Sequence, residues 1–167
     1  VEAGKLELSP ERIDLGAIIT EVCSILHPLA AAKAIRIEIE QDPSLLTAFL
    51  DRVRLEQILY NYLSNAIKFT PRGGRVIVRT RPEEPGTFRL EVDDTGIGIA
   101  KADLPRLFTE FQQLQGGTNK CYEGTGLGLA LTRRIVEAQN GHVGVHSVVG
   151  QGSVFFAVLP RDMSRPG

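Results

Sequence analysis

Very little in this chain favours one sign of charge. Its 19 lysines and arginines stand against 20 aspartates and glutamates, a net of −1 over 167 residues. Such a balance gives no broad electrostatic grip on nucleic acid or on an anionic membrane. Cysteine is scarce as well. Cys23 and Cys121 are about a hundred positions apart with no CxxC spacing, which excludes a disulfide framework or zinc knuckle and leaves reduced thiols as the simple reading. No run approaches 18 consecutive apolar residues, so no membrane span is read, and no secretory leader is visible. An initiator methionine is missing too. The chain opens on Val1 and is expected to be a fragment or a processed chain.

What is present is globular material, 43% hydrophobic and 23% charged, long enough for one domain with a real core. No repeat or low-complexity segment interrupts it. Residues 1–12 (VEAGKLELSPER) are polar, contain a proline and read as an incoming linker. Residues 13–160 are expected to form the domain and 161–167 a tail. From Asp14, as N-cap, Leu15, Ile18, Ile19, Val22, Ile25, Leu26, Leu29 and Ala30 recur at helical spacing. IRIEIE (35–40) alternates as a strand with one wet face. After a loop, Asp51 caps a second helix that runs to about Phe69 and stops at Thr70-Pro71. RVIVRT (75–80) and TFRLEVDD (87–94), turned at Pro85-Gly86, read as a hairpin. A short helix around 103–109 precedes the aperiodic QQLQGGTNKCYEG (112–124). A third long helix, about 127–139, is closed by Asn140-Gly141. HVGVHSV and SVFFAVL then flank a glycine turn. The order α-β-(β)-α-β-β-α-loop-α-β-β predicts an α+β fold: a two-layer α/β sandwich whose mixed, mostly antiparallel sheet is covered on one face by three helices.

Three stretches carry chemistry. In DRVRLEQILYNYLSNAIKFT, Leu55, Ile58, Leu59, Tyr62, Leu63 and Ala66 form an apolar sector, while Arg54, Asn61, Asn65 and Lys68 share another. Asparagine is a weak helix former, so two at i, i+4 suggest oxygen ligands for a metal–phosphate group, with Lys68 supplying charge. A plain solvated face is the competing reading. VDDTGIGI (92–99) ends a strand on Asp94 beside two glycines. A carboxylate there accepts hydrogen bonds only and suits an exocyclic amine such as that of adenine. Asp93 should face the other way by strand alternation. A glycine turn with an Asx cap competes. So does an aspartic protease motif, but that chemistry needs two carboxylates sharing a proton, and the helical content argues against it.

EGTGLGLAL (123–131) places Gly124, Gly126 and Gly128 at a helix start. It lacks the Gly-Lys-Ser/Thr of a Walker loop and the GxGxxG of a dinucleotide fold. Free N–H groups at a helix N-terminus still bind anions. The long stretch before it is too long for a simple connector and suggests a mobile lid, with Phe108 and Phe111 at its base or in the core.

Taken in order, these stretches resemble the sequence boxes of sensor histidine kinases. NYLSNAIKFT is similar to the N box, VDDTGIGI to the first glycine box, LFTEF to the F box and EGTGLGL to the second glycine box. VVGQGSVF looks like the closing Gly-x-Gly-Ser-x-Phe signature. PLAAAKAIRIEIE resembles the family's entry helix and strand, and EAGKLEL the segment leaving its dimerisation helices. The resemblance covers nearly the whole chain and implies the catalytic, ATP-binding domain, with the Bergerat fold of gyrase-type and chaperone ATPases.

By similarity, Asn65 would ligate Mg²⁺, Asn61 and Lys68 would face the phosphates as the catalytic pair, and Phe69 would pack near the nucleotide. Asp94 would hold the adenine amino group, with Gly96, Gly98 and Ile99 beside the base and Ser153 close by. Gly124, Thr125, Gly126, Leu127 and Gly128 would form the lid hinge and phosphate cradle, and Lys120 is a candidate for the γ-phosphate. The hydrolytic relatives carry a glutamate general base where this chain has Asn61, and an amide cannot take a proton from water near neutral pH.

The family's phosphoacceptor histidine is missing. His27 precedes Pro28, and His142 and His146 fall on an expected strand. The implied partners are therefore a histidine-bearing dimerisation domain outside this chain and a cognate response regulator, with no nucleic acid and no direct membrane contact, in the cytoplasm. A degenerate regulatory nucleotide-binding module and a hydrolytic ATPase of the same fold are the alternatives.

Overall fold

The computed structural model of the chain describes residues 7–108 and 125–163, without the side chains of 125–127. A short strand, β1 (Pro10–Asp14), leads directly into α1 (Leu15–Ala32). Asp14 is the N-cap: its Oδ1 accepts from the Ala17 N–H at 3.0 Å, a donor the helix itself cannot satisfy. After β2 (Arg36–Glu40) and β3 (Thr47–Asp51), Asp51 caps α2 (Arg52–Phe69) in the same way through the Arg54 N–H at 3.0 Å. α2 ends at Thr70, which is extended ahead of Pro71. Lys33 Nζ donates to the Ile67 and Lys68 carbonyls, a cation on the negative end of that helix.

β4 (Arg75–Pro82) and β5 (Thr87–Asp94) form the expected hairpin, with Gly86 at φ +83° in its turn. The short helix is a 3₁₀ segment, Lys101–Arg106, that contains Pro105. α3 (Thr125–Glu137), β6 (His142–Val148) and β7 (Gly152–Pro160) complete the chain. α3 begins two residues earlier than its sequence pattern suggests, so Gly126 and Gly128 lie within its first turns. It closes in a Schellman arrangement: Asn140 sits at φ +65° and the Gly141 N–H reaches back to the Val136 carbonyl at 3.0 Å.

The main sheet runs β2-β4-β5-β7-β6, with β2 parallel to β4 and every other pair antiparallel. It is the mixed, mostly antiparallel sheet that the element order implied, with α1, α2 and α3 against one face. All six apolar positions of the α2 sector are buried, and they pack with Val78, Leu90, Val92 and Ala157 of the sheet in one core. The opposite face carries a charge ladder in which Arg79 binds Glu40, Glu91 and Asp93. Alternation therefore puts Asp93 on the ladder face and Asp94 in the core layer, as expected.

Several expectations change. β1 and β3 pair as a separate antiparallel ribbon, Pro10 opposite Asp51 through Asp14 opposite Thr47. Part of the expected linker and the loop before α2 thus form strands. Only Ile13 of β1 is buried, so no alternation announces it. The beginning of the expected tail also docks: the Arg161 N–H donates to the Gly86 carbonyl, and Asp162 bridges Phe49. On α1, Ile25 and Leu29 are exposed at 59% and 55%, while Cys23 is buried. Burial pushes that thiol up to about 11, so it is a packing residue rather than a nucleophile. By length and composition α1 is apolar enough to cross a membrane, with mean hydropathy 1.6, although no uninterrupted apolar run exists. Its buried residues form part of the domain core.

Candidate functional site

Asp94 ends β5 and is 5% exposed. Its Oδ1 accepts two backbone N–H groups, from Gly96 at 2.8 Å and Ser153 at 3.2 Å. No donor among the described residues reaches Oδ2. Burial raises this carboxyl to about 6, opposed by the two N–H bonds and reinforced by the negative charge of Asp93. The side chain is held by one oxygen and offers the other.

That oxygen belongs to the wall of a pocket. Asn65 and Phe69 of α2 stand on one side, Asp94 and Ser153 at the strand ends, and Gly98 and Ile99 on the loop after β5. Sequence reasoning singled out all six, and the fold brings them together across 88 positions of chain, from Asn65 to Ser153. The remaining lining is apolar: Ile97, Leu107, Leu129 and Phe155. These four read as ordinary core residues, and only their place around Asp94 distinguishes them. Phe108 packs on the same layer, its ring 6.2 Å from that of Phe155. A mostly apolar slot with one acceptor edge suits a flat heteroaromatic ring that carries an amine.

The glycines explain the close approach. A Cβ on Gly96 would lie 2.7 Å from Asp94 Oδ1 and 2.8 Å from the Phe69 carbonyl. Gly98, at φ +77°, would meet the Val148 carbonyl at 2.2 Å. Any side chain at either place would push the loop off the strand ends.

Asn65 is half-buried, and no hydrogen-bond partner for its side chain stands among the described residues. An unengaged amide oxygen on a pocket wall fits a hard cation whose remaining ligands are phosphate and water. Among the described residues there is no cluster of His, Cys, Asp or Glu able to hold a metal.

Asn61, one turn earlier, has a different role in the fold. Its Nδ2 donates to the Gly128 carbonyl at 3.3 Å and to Thr132 Oγ1 at 3.0 Å, and Thr132 Oγ1 itself donates to the Gly128 carbonyl at 2.8 Å. A carbonyl only accepts, so the amide orientation is determined: nitrogen toward α3, oxygen away. Asn61 therefore ties α2 to the first turns of α3. Thr132, fully buried, completes the tie and was not foreseen, since a threonine in mid-helix carries no motif. A Cβ added at Gly128 would stand 3.9 Å from the Asn61 side chain, an ordinary contact distance.

Lys68 does not line the pocket. Its Nζ lies over the Phe69 ring, 5.7 Å from the centroid. Arg54, on the same stripe, bonds to Gln57 and the Glu7 carbonyl instead. Lys120, Cys121, Phe111, Gly124 and the expected lid lie outside the described residues, as do the side chains of Thr125, Gly126 and Leu127.

The histidines are elsewhere. His142 and His146 stand on the charge-ladder face of the sheet, where His146 stacks on Phe156 at 5.4 Å and the Arg89 guanidinium covers its ring at 4.0 Å. His27 is exposed on α1.

Known proteins are similar to this chain in sequence and fold. The circadian input-output histidine kinase CikA of Synechococcus elongatus is 40% identical over 164 residues, which is 97% of this chain and 22% of that protein. The chain thus spans about a fifth of the length of the curated relatives it matches. The crystal structure of full-length ShkA in complex with AMPPNP superposes with a TM-score of 0.82 at 35% identity, over 93% of this chain and 32% of that one. The catalytic domain of the histidine kinase ThkA, 24% identical, has the same fold at a TM-score of 0.80, covering 95% of this chain and 99% of that one. Residues 50–163 match the sequence pattern of the histidine kinase-, DNA gyrase B- and HSP90-like ATPases, and the chain belongs to that family.

Proposed function

We propose that this chain binds ATP with Mg²⁺ and transfers the γ-phosphoryl group to a histidine on a dimerisation domain outside the chain, as the catalytic part of a two-component sensor kinase. One observation carries the reading. Asp94 Oδ1 is held by Gly96 and Ser153, which leaves Oδ2 as a buried acceptor at the edge of an apolar slot that also contains Asn65. Such an edge accepts the adenine 6-amino group. Asn65 Oδ1 would hold the cation, which supplies charge neutralisation at the phosphates when bound. Lys68, whose Nζ lies over the Phe69 ring, would face them, and backbone N–H groups at the start of α3 would add to the phosphate cradle.

Positioning and charge carry most of phosphoryl transfer. The residues of this chain supply both, and the nucleophile is the imidazole nitrogen of the partner. Hydrolysis is disfavoured at Asn61: its amide cannot take a proton from water, and its nitrogen is committed to Gly128 and Thr132. A response regulator would receive the phosphoryl group next, and a domain that uses ATP would work in the cytoplasm.

The test is transfer of label from γ-³²P-ATP. Alone, the chain is expected to stay unlabelled. With the purified dimerisation domain of its parent protein, acid-labile label should appear on that domain. Self-labelling of this chain, or phosphate release without transfer, would overturn the reading. A second measurement addresses the cation. Asn65→Ala is expected to remove most of the Mg²⁺ enhancement of ATP binding, roughly tenfold, while ATP binding in EDTA stays as in the parent chain. Equal loss with and without Mg²⁺ would make Asn65 a phosphate or base contact instead.

A further inference from the structure

Ser147, on β6, does not line the pocket, yet its hydroxyl meets three groups. The Ile99 N–H donates to it at 2.8 Å, it donates to the Gly152 carbonyl at 3.0 Å, and Ser153 Oγ stands 2.7 Å away. A serine hydroxyl has one proton and two lone pairs. The Gly152 carbonyl can only accept, and with the Ser147 proton given to it both groups are satisfied. The Ile99 N–H occupies one lone pair. The short contact to Ser153 is then left a single polarity, with Ser153 donating its own proton to the remaining lone pair of Ser147. Ser153, 5% exposed and part of the pocket wall, consequently turns only lone pairs toward the pocket. It stands beside Asp94, whose ionised carboxylate is also an acceptor.

We propose that Ser147 is a specificity-positioning residue: by accepting the Ser153 proton it keeps the polar edge of the pocket acceptor-only, and so selects a 6-amino purine over a 6-oxo purine. The inference rests on the reading that Asp94 holds the base. Asp94 alone accepts from an amine. A freely rotating Ser153 hydroxyl next to it could turn round and donate to a 6-carbonyl, rescuing the wrong base. Ser147 opposes that turn, because the Ser153 proton would have to leave its bond to the Ser147 lone pair. Buried groups of one polarity discriminate strongly against a ligand of the same polarity, since neither is then satisfied.

The experiment compares ATP with ITP, which differ at position 6 and in protonation of N1. Calorimetric affinities are measured at pH 8, above the range in which Asp94 titrates, for the parent chain, Ser147→Ala and Ser147→Thr. The parent chain should prefer ATP strongly. Ser147→Ala should narrow that preference about tenfold, with ITP binding more tightly and ATP no better than before. Ser147→Thr keeps a hydroxyl and should restore the preference. In a Ser153→Ala background, Ser147→Ala should leave the ratio unchanged, because no hydroxyl remains to turn. A merely structural role for Ser147 would weaken both nucleotides alike, and an unmoved ratio overturns the proposal. If the parent chain itself does not distinguish ATP from ITP, the assignment of the base to Asp94 fails, and the proposal with it. Should Ser147→Ala not fold, as judged by circular dichroism, Ser147→Cys serves in its place. Its sulfur is a poor acceptor, so the same narrowing is expected, and its absence counts equally against the proposal.

Discussion

Replacing Asp94 with asparagine should lower ATP affinity by roughly two to three orders of magnitude without unfolding the domain. The size of the effect follows from how the side chain is held. Oδ1 receives the N–H groups of Gly96 and Ser153, so in Asp94→Asn the amide oxygen must take that position. The NH₂ then replaces Oδ2 and points a donor at the donor amine of adenine. Flipping the amide would direct NH₂ against two backbone N–H groups, so the mutant cannot recover. ITP should lose far less, because its 6-carbonyl can accept from the new NH₂. Unchanged ATP affinity would refute the assignment.

Stability should move the other way, and with pH. The folded chain raises the Asp94 carboxyl to about 6 from its ordinary value of 3.8, so between those values the native state keeps a proton that the unfolded chain has released. Stability of the ligand-free domain therefore falls as pH rises through that window, by up to about 3 kcal/mol. Asp94→Asn has no such titration, so the difference between parent and mutant unfolding free energies should shift across pH 4 to 6 and level off above. ATP affinity in the parent should rise over the range near pH 6, because only the ionised carboxylate is a pure acceptor. Denaturant unfolding and calorimetry over the same pH series measure both trends, and parallel curves for parent and mutant would exclude Asp94 as the titrating group.

Gly152→Ala should be strongly destabilising. Gly152 lies at φ +132°, where a side chain is strained, and its added Cβ would sit 2.0 Å from the Asp94 carbonyl oxygen and 3.0 Å from the carbonyl carbon. Both are backbone atoms of the neighbouring strand and cannot swing aside. The turn between β6 and β7 must shift, which breaks the pairing of Asp94 with Ser153 and the bond from the Ser153 N–H to Oδ1. A loss of roughly 2–4 kcal/mol is expected from strain and lost bonds together, with ATP affinity reduced in the same protein at temperatures where it stays folded. Gly150→Ala is the control. It shares a positive φ, +83°, but nothing lies within 4 Å of its Cβ, so it should lose about 1 kcal/mol. Equal unfolding midpoints for the two mutants would show that crowding at Gly152 is relieved without moving the strand.

Much of this arrangement was legible before any coordinates. The α2 sector was, because six apolar residues at helical spacing have one place to go. The caps Asp14 and Asp51 were, because a side-chain acceptor ahead of a periodic run satisfies donors that nothing else can. Asp94 was, because strand alternation separates it from Asp93. The β1–β3 ribbon was hidden, since five residues with one buried side chain carry no period. Ile25 and Leu29 were misplaced for a related reason. Their spacing is right for a core stripe, but burial depends on what a neighbouring helix covers, and Ile25 borders an open groove between α1 and α2 with Val53 and Tyr60.

The sequence by itself determined the helices and the strands of the main sheet, the family and the chemical types of the site: an acceptor at a strand end, two amides on one helix stripe, glycines where backbone must come close. These follow from local rules of periodicity, capping and side-chain chemistry. Only the tertiary structure decided polarity. It showed which oxygen of Asp94 is occupied, which way the Asn61 amide points, and that Ser147, absent from the pocket wall, stands in contact with the Ser153 hydroxyl. Hydrogen-bond direction is settled by the full set of partners around each atom, and those partners come from strands and helices far apart in the chain.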